Sequence, residues 1–355
     1  MSPIESNHAA WIVAECANPL VVRPGPDQTK PEANEIIIKV AAIAINPSEP
    51  FVQDKPILPV SYPHVLGSDI SGTVAKVGSG VTRFQVGDRV IGHCLGLVHG
   101  GARHGGFQEY AACLDSGVAR IPDSLTFEQA AVLPLSISTS ATALYEHLKL
   151  RAPAVEHAGT SKTGSEAVLI WGGATSIGCS AIQLAVASGY KVVTTASAKN
   201  HDFVRSLVPT GAEDVAIFDY AEDTETITAE IVAHFRDNGL AFVGAYDCIS
   251  KEPTLRVCAD VVGTLIGGGM VSTVVPGIEC HREDVKARIV WSTNAVQKPE
   301  DGARIWEKFV PGALASGTLK TKPEARVVGQ GLGQVQEAIN TYKKGVSATK
   351  LVVTL

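Results

Sequence analysis

Apolar residues fall in short dense runs over the first third of the chain. Glu35–Ala44 reads E-I-I-I-K-V-A-A-I-A, a buried strand that stops at Asn46-Pro47. Gly72–Val77 and Arg89–Ile91 are two further strands, separated by Gly78, Gly80 and the turn at Gly87-Asp88. β-Branched runs broken by turn residues about every 8–12 positions predict a compact β-rich domain.

The period changes near Pro134. Ile137–Leu148 turns helical, and Leu150–Ser165 is a polar loop. Strands at Ala167–Trp171, Lys191–Thr195, Val215–Phe218, Ala241–Tyr246 and Gly269–Val275 then alternate with helices at Ile177–Ser188, Asp202–Val208 and Thr224–Asp237. Such alternation predicts a parallel, doubly wound α/β sheet. Near the end, Leu332–Lys343 is an amphipathic helix and Lys350–Leu355 (K-L-V-V-T-L) a terminal strand. The chain therefore reads as a β-rich domain, 1–138 completed by 306–355, split around an inserted α/β domain at 139–305.

Composition narrows the partners. A length of 355 residues allows two domains, and 45% hydrophobic with 19% charged residues is a globular balance. The net charge of −6 argues against nucleic acid or an anionic membrane, which need a basic face. No run approaches the roughly 20 apolar residues of a membrane span. Met1–Trp11 lacks a basic residue ahead of an apolar run, so no signal peptide is expected, and the expected location is the cytoplasm. The seven cysteines (Cys16, Cys94, Cys113, Cys179, Cys248, Cys258, Cys280) are odd in number and scattered, as in a reducing compartment. Cys94 has His93, His99 and His104 nearby, a group read as a glycine-rich surface loop rather than a metal site.

One turn carries chemistry. Ala167–Trp171 runs into Gly172-Gly173, and Ala174-Thr175-Ser176 leads through Gly178 into a helix. Glycines let the backbone approach a pyrophosphate, and a helix N-terminus favours its charge. Thr175 stands where the dinucleotide fingerprint has its middle glycine. The next strand selects the nucleotide: an acid about 20 residues on would accept from a ribose 2′-hydroxyl. None occurs in Lys191–Asn200, whose end offers Ser197 and Lys199, a hydroxyl and a cation suited to a 2′-phosphate, so NADP(H) is expected.

Along almost its whole length the chain resembles the zinc-independent branch of the medium-chain dehydrogenase/reductase superfamily. The residues that carry this are Val40–Ser48, Leu66–Val77, Val86–Gly92, Gly105–Tyr110 and Phe127–Thr139. I-N-P-S followed by an acid, L-P-x-x-I-S-T, the G-G-x-T turn and Asp247-Cys248-Ile249 are similar to fungal trans-acting enoyl reductases of polyketide synthases, the group of the lovastatin enoyl reductase. The resemblance implies a Rossmann sheet inserted into a GroES-like catalytic domain. It also implies NADPH as hydride donor and, as substrate, an enoyl thioester on a polyketide synthase acyl carrier domain. Zinc members carry a cysteine just before an acid, then Gly-His-Glu. Here those places read Asn46-Pro47-Ser48-Glu49 and Gly67-Ser68-Asp69, so no metal is expected.

The resemblance also implies residue roles. Asn46, Pro47, Ser48, Glu49 and Phe51 line the nicotinamide side, and Thr139 is the catalytic hydroxyl near the carboxamide. Ala174, Thr175, Ser176 and Ile177 wrap the pyrophosphate, and Ser197, Ala198, Lys199 and Asn200 hold the 2′-phosphate. Tyr220 lies by the adenine, Thr273 and Val274 return to the nicotinamide, and Val346 and Ser347 close over it. Ile137, Ser138, Ser140, Trp291, Ser292, Asn294 and Val296 line the acyl channel. Phe51 stands where the lovastatin relative has a lysine, and Glu49 replaces an Asp, so no lysine proton donor is available at that position. A solvent proton can complete the reduction; Tyr62, His93 and Tyr145 are unranked alternatives. The competing readings are a free-standing quinone or 2-alkenal reductase and an NADPH-binding protein without turnover. A monomer is expected.

Overall fold

The computed structural model describes residues 6–55, 60–154, 164–208 and 214–355. Positions 155–163 of the expected polar loop and 1–5 of the amino terminus lie outside the described residues. The chain divides into two units: Met1–Leu135 with Val296–Pro311 and Thr321–Leu355, and Ser136–Ala295 with Gly312–Lys320.

The first unit opens with β1 (His8–Ile12), β2 (Val21–Pro24), β3 (Glu35–Ala44), β4 (His64–Val65), β5 (Asp69–Val77), β6 (Arg89–His93), β7 (Tyr110–Leu114) and β8 (Val118–Arg120). The second unit holds β9 (Glu166–Trp171), β10 (Lys191–Ala196), β11 (Val215–Asp219), β12 (Ala241–Asp247), β13 (Gly269–Thr273) and β14 (Val285–Ile289). Returning to the first unit, the chain adds β15 (Glu324–Gln330) and β16 (Thr349–Thr354).

The first unit's large sheet runs β15-β16-β3-β5-β6-β8, with β7 also paired to β3. β3 pairs antiparallel with β16, β5 and β7, and Ile36, Ile37 and Ile38 are all fully buried. A strand enclosed on both faces needs a continuous apolar run instead of an alternating one, which is how Glu35–Ala44 reads. A smaller sheet, β2-β1-β4, lies in the same unit.

In the second unit the order is β11-β10-β9-β12-β13-β14, with every neighbouring pair parallel. From β9 the chain moves outward to β10 and β11, then crosses back to place β12 on the other side of β9. The order reverses at β9, and ligands of such sheets bind outside the strands' carboxyl ends at the reversal.

Four expectations change. The return to the first unit comes at Val296, ten residues before 306, because Val296 is buried against Gly117, where a Cβ would come within 2.9 Å of it. The helix expected from Ile137 starts at Pro134 and passes at Thr142–His147 into a π-helix. β1, β2, β7, β8, β14, β15 and the helix Glu252–Ile266 are additional elements. The histidine–cysteine group is not a surface loop: His93 ends β6, Cys94 Sγ lies 3.6 Å from Cys113 Sγ, and buried His104 Nε2 is 2.7 Å from Glu35 Oε1.

Candidate active site

The carboxyl ends of the parallel strands form one row in the second unit. Ala196 is in register with Asp219, and Asp247 with both Trp171 and Thr273. The expected residues 174–177, 197–200, 220 and 273–274 follow directly from these ends, so the sheet gathers them along one edge.

The turn after β9 is built from its own backbone. Gly172 has φ +86°, open to glycine at little cost, and its N–H donates to Thr195 Oγ1 at 3.0 Å. A Cβ on Gly178 would sit 2.2 Å from the Gly172 carbonyl oxygen, so only glycine lets the helix Ser176–Ala187 approach the strand this closely. Thr175 caps that helix: its Oγ1 accepts from Gly178 N at 3.0 Å and donates to Gly172 O at 2.8 Å. The residue that breaks the fingerprint is thus engaged within the turn, and charge selection falls to the helix terminus beside half-buried Ala174, Ser176 and Ile177. The helix Pro134–Ala141 packs on this turn through Ser140, whose Oγ donates to Ile177 O at 2.8 Å. Ile137, Ser138 and Thr139 of that helix are buried.

At the end of β10, Ser197 Oγ is buried and unpartnered, a group that a ligand oxygen would satisfy. Lys199 is exposed within the 3₁₀ turn Ala198–Asn200. Asp219, the last residue of β11, accepts from Ala198 N at 3.2 Å and from Ala221 N at 3.0 Å. A carboxylate therefore does stand beside this turn, contributed by the neighbouring strand, and reading Lys191–Asn200 alone missed it. Tyr220 follows, half exposed.

Beyond β13, Thr273 is buried with Oγ1 unpartnered, and Val274 N donates to Ser250 Oγ at 2.8 Å. Asp247 shapes that loop by accepting from Ile249 N and Ser250 N, each at 2.9 Å. Trp291 is about half exposed, Ser292 is half-buried, and Asn294 donates to Glu146 Oε2 at 2.9 Å. Val296 belongs to the other unit's core. The orphaned Ser197 and Thr273 hydroxyls and the glycine turn fit a dinucleotide laid along the strand ends.

In the first unit, Asn46 and Glu49 are buried, Pro47 is exposed, and Ser48 and Phe51 are half-buried at the start of the helix Ser48–Asp54. Glu49 Oε2 accepts from Asn46 N at 2.6 Å. Asn46 Nδ2 donates to Asp69 Oδ2 at 2.9 Å, and Lys350 Nζ lies 3.0 Å from the same oxygen and donates to Asn46 Oδ1. Lys350, read only as the start of a strand, is the residue missed here. Val346 and Ser347 are exposed just before it. Burial, against the ion pair and hydrogen bond with Glu35, holds His104 below the usual histidine range. Among the described residues no three His, Cys, Asp or Glu side chains are grouped to hold a metal ion, and no helix is long and apolar enough to cross a membrane.

Comparison with known proteins agrees with this architecture. Residues 32–123 match the alcohol dehydrogenase GroES-like domain. The chain is 42% identical to trans-enoyl reductase himH of Aspergillus japonicus over 98% of its length and 97% of the relative's. It is 39% identical to dehydrogenase azaJ of Aspergillus niger over 95% of each chain. The crystal structure of CurK enoyl reductase superposes with a TM-score of 0.73 at 22% identity, covering 99% of both chains. A GroES-like β unit, a parallel nucleotide-type sheet and 42% identity over nearly the whole chain together establish that the chain belongs to the medium-chain dehydrogenase/reductase superfamily of oxidoreductases, among relatives that include fungal trans-enoyl reductases.

Proposed function

We propose that this protein is an NADPH-dependent enoyl reductase that acts in trans on an α,β-unsaturated acyl thioester presented by a polyketide synthase acyl carrier domain. The glycine turn at the reversal of the β9 sheet, capped by Thr175, is the observation that carries the cofactor side of this reading. The substrate class rests on the 42% identity to a trans-enoyl reductase along nearly the whole chain.

A reduced nicotinamide dinucleotide, when bound, supplies the hydride; the protein's share is binding and orientation. The amino end of Ser176–Ala187 would face the pyrophosphate, and Ser197 with Lys199 would take the 2′-phosphate. The buried Thr273 hydroxyl and Thr139 remain to orient the nicotinamide and to donate to the developing enolate oxygen. No ligand set for a metal is needed to polarise the carbonyl in this scheme.

Free thiols at all seven cysteines fit work in the cytoplasm. The outer strand β14 carries exposed Lys286 and Arg288, charges that discourage edge pairing and favour a monomer.

The test is NADPH consumption with an enoyl thioester on an acyl carrier domain, set against small quinones and 2-alkenals. Saturated thioester formed with NADPH, faster on the carrier-bound substrate than on either small class, is expected. Turnover of quinones or alkenals alone would replace this reading with that of a free-standing reductase.

A further inference from the structure

Two buried thiols face each other within the first unit. Cys94 follows β6 and Cys113 stands in β7, with their sulfurs 3.6 Å apart and the residues 3% and 1% exposed. In the sheet β6 pairs with β5 and β8, and β7 pairs with β3. A bond between the sulfurs would therefore join two strands that, among the described residues, no ladder joins.

The geometry lets the pair close. Residues two apart along a strand share a side, and a Cβ on Gly92 would come within 2.9 Å of Cys113 Sγ. Gly92 and Cys94 thus both face Cys113, and the bare glycine leaves its sulfur room. A disulfide needs its sulfurs about 2 Å apart, so the pair has about 1.5 Å to cover. Cys113 is fixed in β7 opposite Ile36 of β3. Cys94 leads instead into the segment 95–106, where Gly96, Gly100, Gly101, Gly105 and Gly106 give the backbone its freedom. Exposed Cys16 differs: its thiol donates to a carbonyl oxygen, that of Asp54, at 3.9 Å.

We propose that Cys94 and Cys113 form an oxidation site, a dithiol that a hydroperoxide converts reversibly into a disulfide clasping β6 to β7. The Cys94 sulfur attacks the peroxide, its O–O bond breaks, and an S–OH group forms. The thiol proton leaves with the released alcohol or water. The Cys113 sulfur then attacks the Cys94 sulfur, the S–OH bond breaks, and the hydroxyl departs as water with the Cys113 proton. The two thiols together lose two electrons, which the hydroperoxide gains. An external dithiol returns both electrons and both protons by exchange.

Burial first, then the Cys113 thiol beside it, push the Cys94 thiol up. Little of it is the nucleophilic thiolate, so closure is slow. A reducing compartment keeps the pair open, and sustained oxidant closes it. The closed loop would carry Arg103 and His104, which reach Glu35 at 2.6 Å and 2.7 Å. Tying that loop at both ends should make the oxidised protein harder to unfold.

The test treats the full-length protein with hydrogen peroxide, alkylates the remaining thiols after unfolding, and maps the unreduced digest by mass spectrometry. The expected product is a pair of peptides joined through Cys94 and Cys113, two hydrogens lighter than its parts, which dithiothreitol separates. The oxidised protein should unfold at higher urea than the reduced one. Cys94→Ala and Cys113→Ala, once shown to keep the wild-type circular dichroism spectrum, should lose both the product and the gain. Alkylated Cys94 and Cys113 in protein whose Cys16 has been oxidised, or either residue joined to another cysteine, overturns the site. That map uses wild type, so it decides even where a variant fails to fold. A joined pair with an unchanged urea midpoint overturns the clasp.

Discussion

Lys350, on the last strand, and Asp69, at the start of β5, pair at 3.0 Å in the interior, the lysine 4% exposed and the aspartate fully buried. The pair ties the carboxyl terminus into the first unit, and Asn46 bridges it by bonding to both partners. Breaking a buried pair by removing one partner costs about 3–5 kcal/mol, because the other charge stays behind. Lys350→Met should therefore lower the unfolding free energy read from urea titration by an amount in that range. Lys350→Met with Asp69→Asn should regain much of it. Equal losses in the single and double variants would show that packing of the lysine stem, not charge, is what matters.

The cap of the nucleotide turn links stability to ligand affinity. Thr175 Oγ1 accepts from Gly178 N and donates to Gly172 O, so Thr175→Ala removes two bonds at once. N-cap loss costs about 1 kcal/mol, and denaturant unfolding should register it. Thr175→Ser keeps both bonds and should restore stability and dinucleotide affinity together. Gly178→Ala is expected to be far worse, since its Cβ would meet the Gly172 carbonyl at 2.2 Å.

What the chain announces and what it hides follow from how local each feature is. The strand Glu35–Ala44 was legible because an unbroken apolar run has few other homes, and Thr224–Asp237 because Asp223 caps it by accepting from Glu225 N and Thr226 N. The glycine turn after β9 was legible from its spacing. Helix Glu252–Ile266 went unread; Pro253 stands in its first turn, where a proline is harmless. Lys350 looked like a strand's polar edge, because its partner Asp69 lies at the other end of the chain. Asp219 was missed for a similar reason: it comes beside the Ala198–Asn200 turn only through the register that sets Ala196 of β10 opposite it on β11.

Thr139 gives a prediction on the chemistry itself. It is 7% exposed on the helix that Ser140 holds against the nucleotide turn. Thr139→Val keeps its shape and removes the hydroxyl. If that hydroxyl orients the nicotinamide or donates to the enolate oxygen, the variant should lose about 1 kcal/mol or more, five- to tenfold, in kcat/KM with little change in melting temperature. Wild-type kinetics would reduce Thr139 to packing.

Cofactor choice sets Lys199 against Asp219. Both lie at the carboxyl end of the β10–β11 pair, with the carboxylate holding Ala198 N at 3.2 Å and the lysine exposed one residue on. A 2′-phosphate placed there would gain from the ammonium and from Ser197, and would be repelled by the carboxylate. A charge-assisted contact contributes about 1.5–3 kcal/mol, so Lys199→Ala should weaken NADPH binding by about tenfold to a hundredfold and leave NADH nearly unchanged. Because Lys199 is exposed, that loss should shrink as salt is raised. Asp219→Asn keeps an acceptor for Ala198 N while removing the charge, so it should tighten NADPH and not NADH. Binding titrations of both cofactors to the two variants check the balance. If Lys199→Ala weakens NADPH and NADH equally, the lysine supports the turn instead of reading the phosphate. If Asp219→Asn weakens NADH selectively, Asp219 accepts from the ribose hydroxyl and the preference belongs to NADH.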